Sequence, residues 1–468
     1  MAQSVARRKR RGKPAPRSAE QRRQQQQQLR RALEARIAQV VQAAFEEALA
    51  DEVTALLGRP KHARRGEAPL RRAGATCAQC QQDWAPRFSR AGSYRRTLIT
   101  TVATVRLRVP RVSCVCGGQV PLEFATFGRY ERSWGDLQAR VRQLAGLCLS
   151  LPDIQEVVAG ESGSWLAAST LNRWVHEAAA LAAVLRGEPF ARVPAVVLLD
   201  GVWVKRMVAT GARYHDRRER DRPRVRRVTV PLLVAYGVDP VTGERWLLDW
   251  EQGAGEDTAS WQGLLERLEH RGLRADAGLT LFVSDGSSGL EAAFGLVNFG
   301  PGVLHQRCIF HVLRTVRQEV RGAPGMTRAD KRARRREVLQ AASAIWQARD
   351  PTAVRRAYTA FREAWRAREP AAVAALERVF DATLAYLDAR ARGRELGEDW
   401  TVEYLRTTSA LERVNRALRQ KARQVGTFQA ARGLTAAVVL VLVHRGVTMP
   451  TRPQALWTEV LEAGLLAS

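Results

Sequence analysis

The sequence predicts a multi-domain α/β protein, and three observations carry that expectation. Between residues 194 and 307, strand-forming apolar runs ("AVVLLDGVWVK", "VRRVTVPLLVAYGVD", "ERWLLDWEQG" and "LTLFVSDG") are interleaved with a helical pattern. Long helical patterns flank this stretch on both sides. Four of the six cysteines are crowded into residues 77–116 around a short alternating segment. With 468 residues, 46% of them hydrophobic, the chain has material for several cores.

Charge narrows the partner. Lys and Arg number 75 against 47 Asp and Glu, a formal net charge of +28. Such self-repulsion points to a polyanion, most commonly nucleic acid. No apolar run approaches the ~20 residues needed to span a bilayer. The most apolar run, "LTAAVVLVLV" at Leu434–Val443, reads as a buried helix. The N-terminal "MAQSVARRKRRGK" has charge but no apolar core, so it is not a secretory signal. A polybasic membrane-surface binder is the rival reading of the charge, but no membrane partner is expected, and the expected location is the cytoplasm, with the nucleoid. Clustered cysteines in so long a chain suggest a metal site in a reducing compartment rather than disulfides.

In chain order, residues 1–28 are rich in Arg, Lys and Gln and read as a basic disordered arm. Leu29, Leu33, Ile37, Val40, Phe45, Leu49, Val53 and Leu56 follow at helical spacing, giving an amphipathic helix over 29–60 that Gly58 and Pro60 stop. Residues 61–130 hold "CAQC" (Cys77, Cys80) and "CVC" (Cys114, Cys116), separated by the strand-like "LITTVATVRLRVPRV". Four thiolates suit tetrahedral zinc, which staples small sheets with thin cores; free or redox-active thiols are the competing reading. Residues 131–190 read as three helices with a glycine-bearing turn before the last, a helix-turn-helix-like domain. Ser169, Thr170, Asn172 and Arg173 at the start of that last helix are candidate DNA contacts. A purely structural three-helix unit is the alternative, and Cys148 on its apolar face reads as core.

Residues 191–320 give three strands, a helix, a strand, a helix and a strand, with the helix at "DTASWQGLLERLEHRGL" capped by Asp257 or Thr258. The last short strand leads into the helix of "GVLHQRCIFHVLRTVRQEV". This is the order of a ribonuclease-H-like sheet. Residues 321–398 are all-helical, with Pro351 and Pro370 in first-turn positions after Asp350 and Glu369. They interrupt a domain that resumes at 399–448 and is followed by a tail, 449–468.

Asp200 and Asp285 each end or nearly end an apolar strand, and each is followed by glycine. On neighbouring strands their charges, ~4 Å apart, would repel by about 1 kcal/mol in water and several-fold more when partly buried. Magnesium or manganese removes that penalty, and a two-metal site is a means of phosphoryl transfer. Glu412 is a candidate third carboxylate, although its spacing from Ser409 also fits a capping box. Glu403 is its rival. A lone Asp-Gly pair, by itself, is commonly a turn.

"LLDGVWVK", "VSDGSSGLEAAF", "HQRCIFHVLRTV" and "TSALERVNRALRQKARQVGTF", in that order, resemble the bacterial Mutator-type DDE transposases, enzymes that move insertion sequences. "EEALADEVTALLGRPKHARR" resembles the start of that family. The resemblance implies that Asp200, Asp285 and Glu412 are a metal-binding triad on a ribonuclease-H-like fold, with a helical insertion before the glutamate. It also marks Cys308 and His311 as the family's C-x2-H signature. At i and i+3 they share a helix face, with His305 a possible third zinc ligand, but a structural or substrate-orienting role is the favoured reading. The cysteine-rich module departs from the family's general pattern, which leaves open which module reads the element's ends.

The expected function is therefore cleavage of double-stranded DNA at transposon ends and strand transfer into target DNA by metal-dependent phosphoryl transfer. Lys205 and Arg206, within a basic stretch over 205–227, and Arg413, Arg416, Arg419 and Lys421 are candidate phosphate contacts. Trp346, Trp365 and Trp400 are candidates for stacking on a flipped base, with core packing favoured for the first two. Joining two DNA ends calls for a homodimer or larger assembly. The alternatives are a nuclease of the same fold without strand transfer, and a DNA-binding regulator that has lost catalysis.

Overall fold

A computed structural model describes residues 19–64, 67–348, 350–447 and 449–450. Most of the basic arm and nearly all of the tail lie outside the described residues. The chain divides into two compact units, Met1–Leu137 with Val157–Trp165, and Gln138–Glu156 with Leu166–Ser468.

The first unit opens with helix α1 (Ala19–Leu57), 39 residues long. It begins inside the stretch expected to be disordered, since Gln and Arg lose little side-chain freedom in a helix and extend the apolar segment backwards. Phe45, Leu49, Val53 and Leu57 are buried, whereas Leu29, Leu33, Ile37 and Val40 are exposed. The buried residues pack on a three-stranded antiparallel sheet of β1 (Phe88–Ile99), β2 (Thr104–Cys114) and β3 (Gln119–Val120). The single strand expected over 98–112 is instead the end of β1, the turn after it and most of β2. Thr100 makes the turn by donating its backbone N–H and its hydroxyl to the Ala103 carbonyl, both at 2.9 Å.

Helices α2 (Gly135–Gly146), α3 (Leu151–Ser162) and α4 (Ala168–Gly187) fall where the apolar spacing predicts them. The division between the units passes through α2 and α3. On α4, Leu171, Trp174 and Val175 are buried. Ser169 and Arg173 are exposed, while Thr170 and Asn172 are half-buried.

The second unit is built on a five-stranded sheet ordered β6-β5-β4-β7-β8. Its strands are β4 (Val196–His215), β5 (Asp221–Val238), β6 (Arg245–Gln252), β7 (Leu281–Ser284) and β8 (Leu304–Arg307). The first three are antiparallel; β7 and β8 run parallel to β4. Between β6 and β7 lies α5 (Thr258–His270), capped by Asp257, whose carboxylate accepts from the Ser260 N–H at 2.8 Å. Helix α6 (Ser288–Phe294) joins β7 to β8, and α7 (Ile309–Glu319) follows β8. Alternate residues such as Val197, Leu199 and Leu233 bury against α5 and α6. Val196, Leu198 and Val202 belong to the larger core on the opposite face. Coverage on both faces is why these strands read as continuous apolar runs.

β4 and β5 run well past the sheet. Beyond Arg206 and Val228 they pair chiefly with each other, making a two-stranded ribbon that continues to His215 and Asp221. The expected strand at "VRRVTVPLLVAYGVD" covers its Val225–Arg227, but the rest of the ribbon is mostly exposed on both faces and carries no such strand signal.

Seven further helices complete the unit among the described residues: α8 (Arg328–Ala344), α9 (Pro351–Trp365), α10 (Pro370–Glu377), α11 (Ala385–Glu395), α12 (Val402–Arg406), α13 (Ser409–Val425) and α14 (Ala431–His444). Pro351 and Pro370 open α9 and α10 with Asp350 and Glu369 as N-caps, as predicted. Trp346, Trp365 and Trp400 are all buried. Trp400, the one expected to have a free face, packs on Gly393 and donates its Nε1–H to Glu398 at 2.6 Å. Among the described residues no helix is long and apolar enough to cross a membrane.

Candidate active site and cysteine cluster

Strand register brings the two aspartates together. Leu198 on β4 pairs with Val283 on β7 in a parallel ladder, so two residues further along each chain stand Asp200 and Asp285. Both asparto-glycines then have physical reasons. Gly286 adopts φ +72°, a left-handed turn that releases the chain from β7. Gly201 stays in the strand, where a Cβ would collide with the Glu256 Oε1.

Glu412 arrives on α13, whose Leu411, Val414, Asn415 and Leu418 are buried. The capping-box alternative is not what forms. Helix α13 has Thr408 at its N-cap with no side-chain cap bond. Ser409 instead donates its hydroxyl to Glu403 at 3.1 Å, which gives the rival glutamate a structural partner. Glu412 accepts from the Arg419 guanidinium at 2.8 Å. Three residues along, Asn415 donates its Nδ2–H to Asp200 Oδ2 at 2.6 Å. Cys308, at the N-cap of α7, lies 3.3 Å from the Thr408 backbone nitrogen and 3.4 Å from its hydroxyl, fixing the start of α13.

The electrostatics are those of crowded carboxylates. Burial pushes Asp200 up to about 6; Asp285 and Glu412 add to the rise, against His311 and the Gly201 N–H. Glu256 is raised as well, by burial and then by Asp285 and Asp200. His311 is carried up to about 9, because Cys308, Asp200 and Asp285 outweigh the effect of its burial. His305 goes the other way, down to about 4, through burial and Arg307. His305 bonds Ser284 at 2.7 Å, so it serves β7 and β8 rather than joining Cys308 and His311 in a zinc site.

Glu256 and Asn415 are the residues that sequence reasoning missed. Each had a signal: Asn415 shares a helix face with Glu412 at i+3, and the glycine after Asp200 leaves room for a neighbouring side chain.

The carboxylates fit a hard divalent cation by their chemistry. Asp200 and Asp285 have no ion pair with Lys or Arg among the described residues, and Asn415 Oδ1 and His311 Nδ1 are buried without hydrogen-bond partners. Asp200, Asp285 and Glu412 do not all offer oxygens within 4.8 Å of one another, however; among the described residues only the four cysteines form a ligand group that close.

Those cysteines form a second candidate metal centre, in the first unit. The Sγ atoms of Cys77 and Cys116 lie 3.6 Å apart, and those of Cys80 and Cys114 3.7 Å. A tetrahedron with ~2.3 Å zinc–sulfur bonds has edges of about 3.8 Å, whereas a disulfide would need ~2.05 Å. The Cys80 backbone holds Cys77 down to about 6. Cys116 rises to about 11, because the other three thiols and burial outweigh the Gly118 backbone. Gly118 is required by space, as its Cβ would sit 2.7 Å from Cys77 Sγ.

Of the expected DNA contacts, Lys205, Arg413 and Arg416 are exposed. Arg206 is half-buried and bonds Gln252 at 2.6 Å, and Arg419 is engaged with Glu412. Lys421 is buried, donating to the Leu149 carbonyl at 2.8 Å, so its charge faces the core rather than the surface.

The sequence profile described as "Transposase, Mutator family" matches residues 15–446. The chain is 28% identical over 394 residues to the transposase of insertion sequence element ISRM5 from Rhizobium meliloti, covering 83% of this chain and 82% of that protein. It is 32% identical over 228 residues to the IS406 transposase of Burkholderia multivorans, covering 45% of this chain and 49% of that one. With the IS905 transposase of Lactococcus lactis it shares 26% identity over 238 residues, 50% of this chain and 53% of that one. Matched over nearly its whole length, the chain belongs to the Mutator family of transposases.

Proposed function

We propose that this transposase serves a bacterial insertion sequence, working in the cytoplasm on DNA, and that Asp200, Asp285 and Glu412 are its catalytic carboxylates. The reading is supported above all by the register of β4 on β7, in which Asp200 and Asp285 each lie two residues beyond the paired Leu198 and Val283. Asp285 stands just past the end of β7, whereas Asp200, expected at a strand end, lies inside β4, which runs on to His215. The sheet order, three antiparallel strands followed by two parallel ones, supports a ribonuclease-H-like domain with α8–α11 as its helical insertion. The three carboxylates would hold Mg2+ or Mn2+, which supplies activation of the attacking hydroxyl and neutralises charge on the leaving oxygen. Asn415 orients Asp200, and Cys308 sets the position of α13 and hence of Glu412. Arg419 holds the Glu412 carboxylate to one side until a cation competes for it.

Double-stranded DNA is the substrate. Lys205 and the ribbon beyond it, with Arg413 and Arg416, are suited to phosphates, and a two-stranded ribbon is of a size that the major groove admits. Ser169, Thr170, Asn172 and Arg173 on α4 are the candidates for base-edge contact. Zinc in the Cys77, Cys80, Cys114 and Cys116 site would be structural. Exposed Leu29, Leu33, Ile37 and Val40 on α1 suit a homodimer, which joining two ends requires.

The test is Asp285→Asn and Glu412→Gln, assayed separately for cleavage and for joining of DNA bearing the ends that flank the gene. Both steps should be lost while duplex binding persists. Unchanged cleavage by Asp285→Asn would overturn the assignment. Cleavage without joining in the unaltered protein would favour the nuclease alternative.

A further inference from the structure

The helices that follow β8 carry a cationic cleft that has no part in the site above. Helix α8 places Arg328, Lys331, Arg332, Arg335 and Arg336 at spacings of three and four, on one side of the helix. Arg317, near the end of α7, faces the same cleft, which encloses about 550 Å³. None of the six is ion-paired among the described residues, and all are exposed. The two acids adjacent to them in sequence are engaged elsewhere, Asp330 with Thr327 in the capping box of α8 and Glu337 with Arg334 at 3.9 Å. Six guanidinium and ammonium groups held together without a carboxylate repel one another, and the fold gains nothing from the arrangement unless an anion enters it.

The geometry points to a phosphate-backbone binding site for DNA in this cleft, distinct from the ribbon and from α13. The inference rests on the reading of the chain as an enzyme that cuts and joins DNA. From Arg328 to Arg336 the helix rises about 12 Å at ~1.5 Å per residue. One strand of a duplex carries a phosphate every ~3.4 Å of axis, so three to four phosphates match that length. Arg317 lies about 9 Å along α7 from His311, which is near enough to Asp200 and Asp285 to respond to their charge. The cleft therefore lies on the helix that borders the carboxylates, and it acts as a grip on DNA outside the reacting phosphodiester.

The experiment uses the full chain and a short duplex of arbitrary sequence, with the binding constant measured across a series of salt concentrations. Each phosphate contact contributes about 0.9 to the slope of log K against log salt. The triple variant Arg328→Gln, Arg332→Gln, Arg335→Gln should lower the slope by about 2 to 3, and the Arg→Lys triple should keep it. A matched triple on α9 and beyond, Arg356→Gln, Arg366→Gln, Arg368→Gln, removes the same charge outside the cleft and should leave the slope nearly unchanged. An unaltered slope in the first variant, or an equal fall in the control, overturns the cleft as a binding site. Absence of salt-sensitive binding by the unaltered chain would overturn the DNA reading itself. Coincident melting curves for all variants exclude unfolding as the cause.

Discussion

Asn415 donates a 2.6 Å hydrogen bond to Asp200, from the middle of α13 to the centre of the sheet. The two residues are buried and lie 215 positions apart. The bond couples the orientation of the first carboxylate to the seating of the helix that carries the third. Asn415→Ala should leave Asp200 Oδ2 without its donor while the Gly201 N–H still serves Oδ1, lowering stability by about 1–3 kcal/mol and strand cleavage by a larger factor than duplex binding. Equal losses in cleavage and binding would mean that the bond matters only for folding.

Asp200 itself should behave as a destabilising residue. Burial, with Asp285 and Glu412, raises it to about 6 from 3.8. In the fold it holds its proton to a higher pH than in the unfolded chain, so stability falls as pH rises from about 4 to about 6 and stays low above that. Asp200→Asn should therefore stabilise the metal-free protein near neutral pH, by up to about 3 kcal/mol at 1.36 per pKa unit, while abolishing cleavage. Added Mn2+ should raise the melting temperature of the unaltered chain more than that of the variant. A variant that is less stable than its parent without metal would count against strained carboxylates at this site.

Much of this site was legible in the sequence because its parts obey local rules. Asp200 and Asp285 stand out as charges at the ends of apolar runs, and α5 announces itself through Asp257. What was not legible depends on contacts between distant segments. The capping spacing of Ser409 and Glu412 is real, yet Glu403 and Arg419 take the two side chains instead. Lys421 reads as one more cation in a basic helix until α13 is seen to turn it towards Leu149. Most of the ribbon beyond Arg206 is not legible, apart from Val225–Arg227 in the expected strand, because a strand pattern depends on a buried face and the ribbon has none.

The cysteine cluster should hold one zinc per chain, measurable by elemental analysis, and a strong chelator should lower the melting temperature of the first unit. Gly118→Ala is the sharper probe. Its Cβ would lie 2.7 Å from both Cys77 Sγ and Gln79 Cβ, without altering any ligand. The variant should lose most of its zinc, whereas Gly74→Ala, at a glycine with open space around it, should retain it despite its backbone strain. Full zinc occupancy in Gly118→Ala would show that the four thiols are not a closed metal site.

His305 should make stability depend on pH in the opposite sense to Asp200. Its ring, largely but not fully buried, reaches from β8 to Ser284 on β7, bonded at 2.7 Å, and lies 4.6 Å from the Phe294 ring. Burial, with Arg307 adding to it, lowers His305 to about 4 from 6.5. Above 6.5 both the folded and the unfolded chain carry a neutral imidazole, and nothing is lost. As pH falls through 6.5 the unfolded chain takes up a proton that the folded chain refuses, so stability declines until about pH 4. The decline attributable to His305 is about 2 kcal/mol between about pH 6.5 and about pH 5. His305→Gln keeps a hydrogen-bonding side chain beside Ser284 but cannot titrate. Its urea midpoint should fall less than that of the unaltered chain over this interval, even if the variant is less stable throughout. Parallel pH profiles for the two proteins would mean that the imidazole is protonated as easily in the fold as outside it.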